Sequence, residues 1–207
     1  MPFVLTVDQR RSRRGPDLVD ATIDTIAGLV RIPTLACERT AGDEFQGVVG
    51  AASDAVAIAL RLVRDGRWSI GIGVGTIEVG ASARASRGPA FLRARQAVDV
   101  ATRSPHHVAV LGPGDDDADE TLNSRAGQAH ALLTMLAAVV GRRTDAGWEA
   151  IDLVEAGSSP AEAAAELGIS RQAVGQRLAV ALWREEIDVR HVAVRLLTEA
   201  ESAGGTT

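Results

Sequence analysis

Three acidic residues near the start of the chain have the types and spacing of a metal or phosphate site. Asp8 ends the apolar run "FVLTVD", and Asp43 and Glu44 lie in the turn of "ERTAGDEFQGVV". If these segments form neighbouring strands, their carboxylates converge at one end of a sheet. Converging carboxylates suit Mg²⁺, which takes a few hard oxygen ligands and completes its shell with water or phosphate oxygens. Without a cation or an arginine between them, the carboxylates would repel one another.

A second pattern lies in the segment "PAEAAAELGISRQAVGQRL", which predicts two short helices joined by a sharp turn. Ser159 and Glu162 form a capping box with Pro160 at the first helical position. Gly168 allows the turn, and Ser170 caps the second helix. The segment resembles the helix-turn-helix of bacterial regulators. Its predicted apolar core consists of Ala164, Leu167, Ile169, Ala173, Val174 and Leu178, with Trp148 and Ile151 from the preceding helix.

The outward side of the second helix carries groups that suit DNA. Arginine can pair with guanine and glutamine with adenine in the major groove, while a capping serine and nearby amides suit a phosphate. The candidate DNA-binding residues are Ser170, Arg171, Gln172, Gln176 and Arg177. The alternative is a three-helix unit that binds only protein. A single unit reads one half-site, so a homodimer on double-stranded DNA is expected.

The elements around the acidic residues follow the order βαββαβαβ over residues 1–112. Short β-branched runs alternate with segments of helical periodicity, and the two runs around the acidic turn predict an antiparallel hairpin. This order predicts an α/β sandwich with a mixed sheet. In the strand "WSIGIGVGTIEV", Gly71 and Gly73 indicate that a helix or a ligand lies close to the sheet. His106 and His107 point to opposite faces of a strand and make a poor chelating pair.

The character of the chain changes after the first domain. Residues 113–123, "PGDDDADETLN", predict a solvated acidic linker. Residues 124–207 predict an all-α region, with the helix-turn-helix at about 148–183. The helices at 124–141 and 185–200 are candidates for a dimer contact, although burial within the monomer explains their apolar faces equally well.

Composition narrows the class of protein. The net charge of −5 argues against general coating with nucleic acid, while leaving room for a local basic face. All 22 basic residues are arginine, a bias typical of a GC-rich genome. The single cysteine, Cys37, predicts a reducing compartment and a buried thiol. The basic residues follow the apolar run at the N-terminus, unlike a signal peptide, and no run is long enough to cross a membrane. We therefore expect a cytoplasmic protein with no membrane contact.

The motifs together resemble a known family. "FVLTVD" followed by "TAGDEFQ" is similar to the nucleotide-cyclase superfamily, which has a ferredoxin-like fold. Together with "IGIGVGTIE", "GPAFLRARQAV" and the C-terminal helix-turn-helix, the chain resembles the SatD family. In cyclases, an Asp ending the first strand and the acid of the hairpin bind the metals at the nucleotide. The resemblance implies that Asp8 and Asp43, with Glu44 as a substitute, bind Mg²⁺.

The same resemblance implies phosphate contacts and shows a departure. Diguanylate cyclases have a Gly-Gly pair where this chain has Ala41-Gly42, so Gly42 is a candidate for close approach of a nucleotide. Arg93 and Arg95 occupy the helix that carries transition-state residues in catalytic cyclases, but the Asn of that helix is missing. Phosphate binding by these arginines is one interpretation, and pairing with the carboxylates or exposure at the surface is the other.

Three functions follow as hypotheses. The leading one is a DNA-binding transcriptional regulator whose cyclase-like domain senses a nucleotide or Mg²⁺. The enzymatic alternative is a nucleotidyl cyclase or a related metal-dependent phosphoryl-transfer enzyme, which the missing Asn disfavours. The third makes the N-terminal domain a dimerisation platform without a ligand.

Overall fold

The computed structural model describes residues 2–30, 34–114 and 123–203. In the described residues, five strands and three α-helices follow the order βαββαβαβ predicted for residues 1–112, and five further α-helices come after them. The strands are β1 (Phe3–Gln9), β2 (Leu35–Ala41), β3 (Glu44–Val49), β4 (Trp68–Val74) and β5 (Val108–Leu111). The helices are α1 (Val19–Ala27), α2 (Ala52–Asp65), α3 (Pro89–Arg103), α4 (Arg125–Val140), α5 (Asp145–Glu155), α6 (Pro160–Leu167), α7 (Arg171–Val180) and α8 (Trp183–Ala203). The predicted linker at 113–123 falls mostly outside the described residues.

The strands form one mixed sheet in the order β2-β3-β1-β4-β5. Each neighbouring pair is antiparallel except β4 and β5, which are parallel. The chain therefore has the predicted α/β class, with the β2–β3 hairpin at one edge and β1 at the centre. Because β1 pairs with both β3 and β4, its last residues lie beside groups from two other strands.

Alternate residues of β1 face two different layers. Phe3, Leu5 and Val7 belong to the main core, which α1, α2, α4 and α8 cover. Val4 faces the opposite layer and packs against Ala90 of α3. Asp8 has the parity of Val4 and therefore lies on the α3 side of the sheet.

Helix α3 lies directly on β4 because two glycines leave it room. A Cβ on Gly71 would stand 2.3 Å from the Val98 nitrogen, and one on Gly73 would stand 2.0 Å from the Ala90 oxygen. Both distances are too short for any side chain. The prediction that these glycines allow close approach is confirmed, and the partner is a helix.

Helices α4 and α8 complete the main core of the α/β layer. They pack against each other, and both also contact α2. Leu133 of α4 and Leu197 of α8 are fully buried in that core. Burial within the chain therefore accounts for the apolar faces of the two segments predicted at 124–141 and 185–200.

Helices α5, α6 and α7 enclose a small separate core. Its buried members are Ala150, Ala163, Ala164 and Val174, with Leu153, Leu167, Ile169 and Leu178 packed around them. The capping box of Ser159 and Glu162 is present, and Gly168 takes a left-handed conformation with φ of 64°. Trp148, expected in this core, packs against the main core instead. No described helix is both long and apolar enough to cross a membrane.

Candidate functional site

Asp8, Asp43 and Glu44, the three acidic residues predicted to form a site, lie at the same end of the sheet. Asp8 lies opposite Glu44 in the β1–β3 register. The Gln9 backbone nitrogen donates a hydrogen bond to the Asp43 carbonyl at 3.0 Å, which holds the hairpin turn against the end of β1. Strand pairing and the hairpin turn thus set the backbone positions of all three residues.

The surroundings of Asp8 change the pKa of its carboxyl group. Its pKa is raised from 3.8 to about 6, chiefly by burial and then by the charges of Asp43, Glu44 and Asp99, in that order of effect. Asp99, an exposed residue of α3, is a fourth acid that the sequence did not single out. A carboxyl group with such a pKa is partly protonated near neutral pH, and a cation placed beside it would favour its charged form.

Glu44 is already engaged by neighbouring side chains. Its Oε1 accepts a hydrogen bond from the Thr40 hydroxyl at 2.5 Å and lies 3.8 Å from Arg95 Nη2. Glu44 and Arg95 line a groove of about 570 Å³ together with Thr40 and Arg84, whereas Asp8 and Asp43 line a different cleft. The proximity of Arg95 to Glu44 matches the interpretation in which the arginine pairs with a carboxylate.

The other two predicted phosphate-binding positions also have partners within the fold. Arg93 Nη1 donates to the Val74 carbonyl at 3.1 Å. The Gly42 carbonyl accepts from Arg39 Nη1 at 2.8 Å, and the same guanidinium binds Asp17 at 2.7 Å. Arg39 therefore links the hairpin turn to the start of α1.

The cleft that Asp8 and Asp43 line, here called the β1 cleft, has a volume of about 480 Å³. Its other walls are Ser69, Thr102, His107 and residues 10–14, here called the arginine turn because four of its five residues are arginine. None of these was among the predicted site residues. The run "RRSRR" is visible in the sequence, but only the pairing of β1 with β4 brings Ser69 beside Asp8.

The described residues contain no group of three or more His, Cys, Asp or Glu side chains placed to hold a metal ion. Asp8 and Asp43 thus offer two carboxylates and no more. Mg²⁺ is commonly held by one or two carboxylates, with water and substrate phosphates completing its shell. The pair fits that cation only together with other oxygen ligands.

The predicted DNA-binding residues lie on α7. Ser170 caps the helix by accepting a hydrogen bond from the Ala173 nitrogen at 3.1 Å. Arg171, Gln172 and Gln176 are exposed, and their side chains make no hydrogen bond or ion pair with the part of the chain that the structure describes. Arg177 differs, because its Nη1 lies 3.0 Å from a Glu149 carboxylate oxygen of α5.

Comparison with known proteins adds no relative. No protein-family model, curated protein or solved structure matches the chain. The resemblance to the SatD family therefore stays a prediction, and the function is argued from the geometry of the chain's own residues.

Proposed function

We propose that the chain is a DNA-binding transcriptional regulator of the SatD type, in which α6 and α7 form a helix-turn-helix and α7 enters the major groove. One observation carries the proposal: Arg171, Gln172 and Gln176 are exposed on one helix without partners among the described residues. The helix is held from behind by its own small core, in which Val174 is fully buried. Because the backbone of α7 is already fixed, binding orders only the side chains and not the helix.

Each exposed group has a chemical partner on DNA. Arg171 can donate two hydrogen bonds to guanine, and Gln172 or Gln176 can make a bidentate pair with adenine. Outside the neighbouring backbone of α7, no atom lies within 4 Å of a Cβ placed on Gly175, so the surface of α7 at this residue is open to a base edge. Ser170 and the first amides of α7 suit a phosphate. Arg177 has a different role, since its bond to Glu149 fixes α7 against α5.

The α/β layer is the sensing part of this proposal. The antiparallel order β2-β3-β1-β4 supports a ferredoxin-like, cyclase-like domain. Asp8 and Asp43 meet where such a domain would hold Mg²⁺ and the phosphates of a nucleotide. Binding there would bias the homodimer toward or away from its operator, and the protein would act in the cytoplasm.

A second function is favoured by the raised pKa of Asp8, since perturbed carboxyl groups cluster at reactive sites. It is a nucleotidyl cyclase or related phosphoryl-transfer enzyme with Mg²⁺ on Asp8 and Asp43. It requires turnover of ATP or GTP that disappears in Asp43→Asn. The engagement of Arg93 by the Val74 carbonyl leaves fewer groups for such chemistry.

The regulator is tested by selecting duplexes from a randomised DNA pool on the immobilised full chain. We expect enrichment of a defined sequence. The paired variant Arg171→Ala/Gln172→Ala should enrich nothing, while Arg184→Ala, which removes an exposed arginine of α8, should enrich the same sequence as the unchanged chain. Selection that yields no sequence for the unchanged chain, with and without Mg²⁺ and ATP, would overturn the proposal.

A further inference from the structure

The floor of the β1 cleft holds polar atoms that the fold leaves without partners. Ser69 is 0 % exposed, and its Oγ makes no hydrogen bond among the described residues. The Nδ1 of His107 is also buried and without a partner, while the imidazole interacts with the Ala101 backbone. A buried polar atom without a partner costs folding free energy, so native proteins rarely keep one that has no use. Both residues are among those that line the cleft.

Strand pairing sets these atoms in a row with the carboxylates. Asp8 lies opposite Ser69 in the β1–β4 register. The Ile70 nitrogen donates to the His107 carbonyl at 2.9 Å, which brings the start of β5 beside Ser69. Asp8, Ser69 and His107 therefore follow one another from β1 across β4 to the residue before β5.

The arginine turn makes part of the cleft lining strongly basic. Arg11, Arg13 and Arg14 are exposed and make no side-chain hydrogen bond or ion pair in the described ranges. Because the positive charges of these neighbouring arginines repel one another, the arginine turn favours the binding of an anion. Arg11 and His107, which both line the cleft, have left-handed backbones, with φ of 58° and 54°. Strain of this kind in residues other than glycine clusters at ligand sites.

The arginine turn is held in place before any ligand arrives. Gln9 is 4 % exposed and its side chain bonds both the Pro16 carbonyl at 2.7 Å and the Leu18 nitrogen at 2.9 Å. Arg10 Nη1 donates to the Gly66 carbonyl at 2.8 Å, which ties the turn to the end of α2. A preorganised wall binds with a smaller loss of conformational entropy.

We infer that the β1 cleft binds a phosphorylated small molecule, with Arg11, Arg13 and Arg14 on the phosphate and with Ser69 Oγ and His107 Nδ1 on polar groups of the same molecule. The inference deepens the sensing role proposed above and moves the phosphate contacts from Arg93 and Arg95 to the arginine turn. The cleft volume of about 480 Å³ suits a ligand of nucleotide size.

The acidic wall favours a small molecule over nucleic acid. Asp8 and Asp43 line the same cleft as the arginine turn, and Asp99 lies close enough to raise the pKa of Asp8. A continuous phosphate backbone crossing the cleft would meet these carboxylates and be repelled. A compact ligand can place its phosphate on one wall and donor groups or a cation on the other.

The test is calorimetric titration of the full chain with sodium pyrophosphate and with ATP, each with and without Mg²⁺. Arg11→Ala/Arg13→Ala should weaken binding by about tenfold or more, because two charge-assisted contacts are lost. Arg61→Ala/Arg184→Ala removes two exposed arginines elsewhere and serves as the control, with binding expected within about twofold of the unchanged chain.

Ser69→Ala separates binding from folding. Its hydroxyl stabilises nothing in the fold, so the melting temperature should stay the same or rise. Affinity for ATP should nevertheless fall by about tenfold, the value of one hydrogen bond. An affinity equal to that of the unchanged chain would overturn the assignment of Ser69.

Three other results would overturn the inference: no heat with either probe, equal binding by Arg11→Ala/Arg13→Ala, or displacement of pyrophosphate by random-sequence DNA through the same arginines. The proposal that α7 binds DNA is tested independently of this inference, by a second pair of variants. Arg171→Ala/Gln172→Ala should lose the selected duplex and keep pyrophosphate, whereas Arg11→Ala/Arg13→Ala should do the reverse.

Discussion

Asp8 is a half-buried carboxyl group that the fold surrounds with other acids. Its raised pKa of about 6 means that ionising Asp8 costs folding free energy. The cost is absent below the ordinary pKa of 3.8, builds up as the pH rises, and is complete above about 6. In the absence of metal, the charge of Asp8 therefore opposes folding at neutral pH.

We predict that Asp8→Asn raises the free energy of unfolding by about 1 kcal/mol at pH 8, a value already reduced for solvent screening of a half-exposed group. The gain should shrink as the pH is lowered from 8 toward 4. Urea denaturation in the presence of EDTA measures both values. Asp24→Asn, on the exposed side of α1, controls for loss of one charge and should show no such gain. A gain that is independent of pH would contradict the prediction.

At the residue scale, the proximity of Asp8, Asp43 and Glu44 could be predicted from the sequence, because strand parity and a tight hairpin are local properties. The proximity of Ser69 and His107 to Asp8 could not, because it depends on how β4 pairs with β1 and β5 with β4. Those registers are set by contacts between segments distant in sequence, which no local pattern encodes.

The elements of the C-terminal half meet at a buried charge in α8. Glu186 accepts from Arg190 Nε at 2.7 Å and has its other oxygen 3.6 Å from Arg143 Nη2. The Arg143 side chain is 2 % exposed and also donates to the Ala181 carbonyl at 2.9 Å. Its guanidinium lies 4.8 Å from the ring centre of Trp148 in α5. This cluster fixes α5 to α8 and so sets the position of the three-helix unit.

We predict that Glu186→Ala lowers the free energy of unfolding by about 3–5 kcal/mol, because it leaves the buried Arg143 without its counter-charge. Glu185→Ala removes the exposed neighbouring carboxylate and should change stability by less than about 0.5 kcal/mol. Urea denaturation of both variants gives the comparison. Equal stability of the two would show that the pair does not hold the helices together.

At the element scale, most boundaries followed from short-range signals. Ser159, Gly168 and Ser170 cap their helices as predicted, since capping depends only on neighbouring residues. The break between α7 and α8 has no such local signal: α7 ends at Val180, and Leu182 turns the chain with φ of 50° before α8 begins.

The whole molecule combines an α/β layer and a three-helix unit, and each has its own core. The placement of α4 and α8 on the sheet could not be predicted, because their apolar faces fitted a dimer contact equally well. With those faces buried in the chain, the surface that joins two copies in the proposed dimer must lie elsewhere. The packing of the α/β layer and of the three-helix unit leaves α7 exposed and the β1 cleft open. The proposed regulator requires this, because it binds its ligand at one surface and DNA at another.

Dimeric binding makes a geometric prediction at this scale. Two copies of α7 related by a two-fold axis should select a palindromic duplex with half-sites about 10 base pairs apart, one turn of the helix, or a multiple of that spacing. Sequencing of the selected duplexes measures the spacing. Selection of a single, unrepeated half-site would contradict the dimeric arrangement and indicate that one copy of the chain binds DNA by itself.

The most direct test of major-groove reading by α7 is a double-mutant cycle between Arg171 and the selected duplex, measured by fluorescence anisotropy. Replacing the guanine that Arg171 contacts should cost the unchanged chain about 1–3 kcal/mol of binding free energy. Arg171→Ala should bind the original and the substituted duplex equally, since the discriminating contact is gone. Arg184→Ala should discriminate as the unchanged chain does. If Arg171→Ala still discriminates fully at every guanine of the site, α7 does not read DNA as proposed.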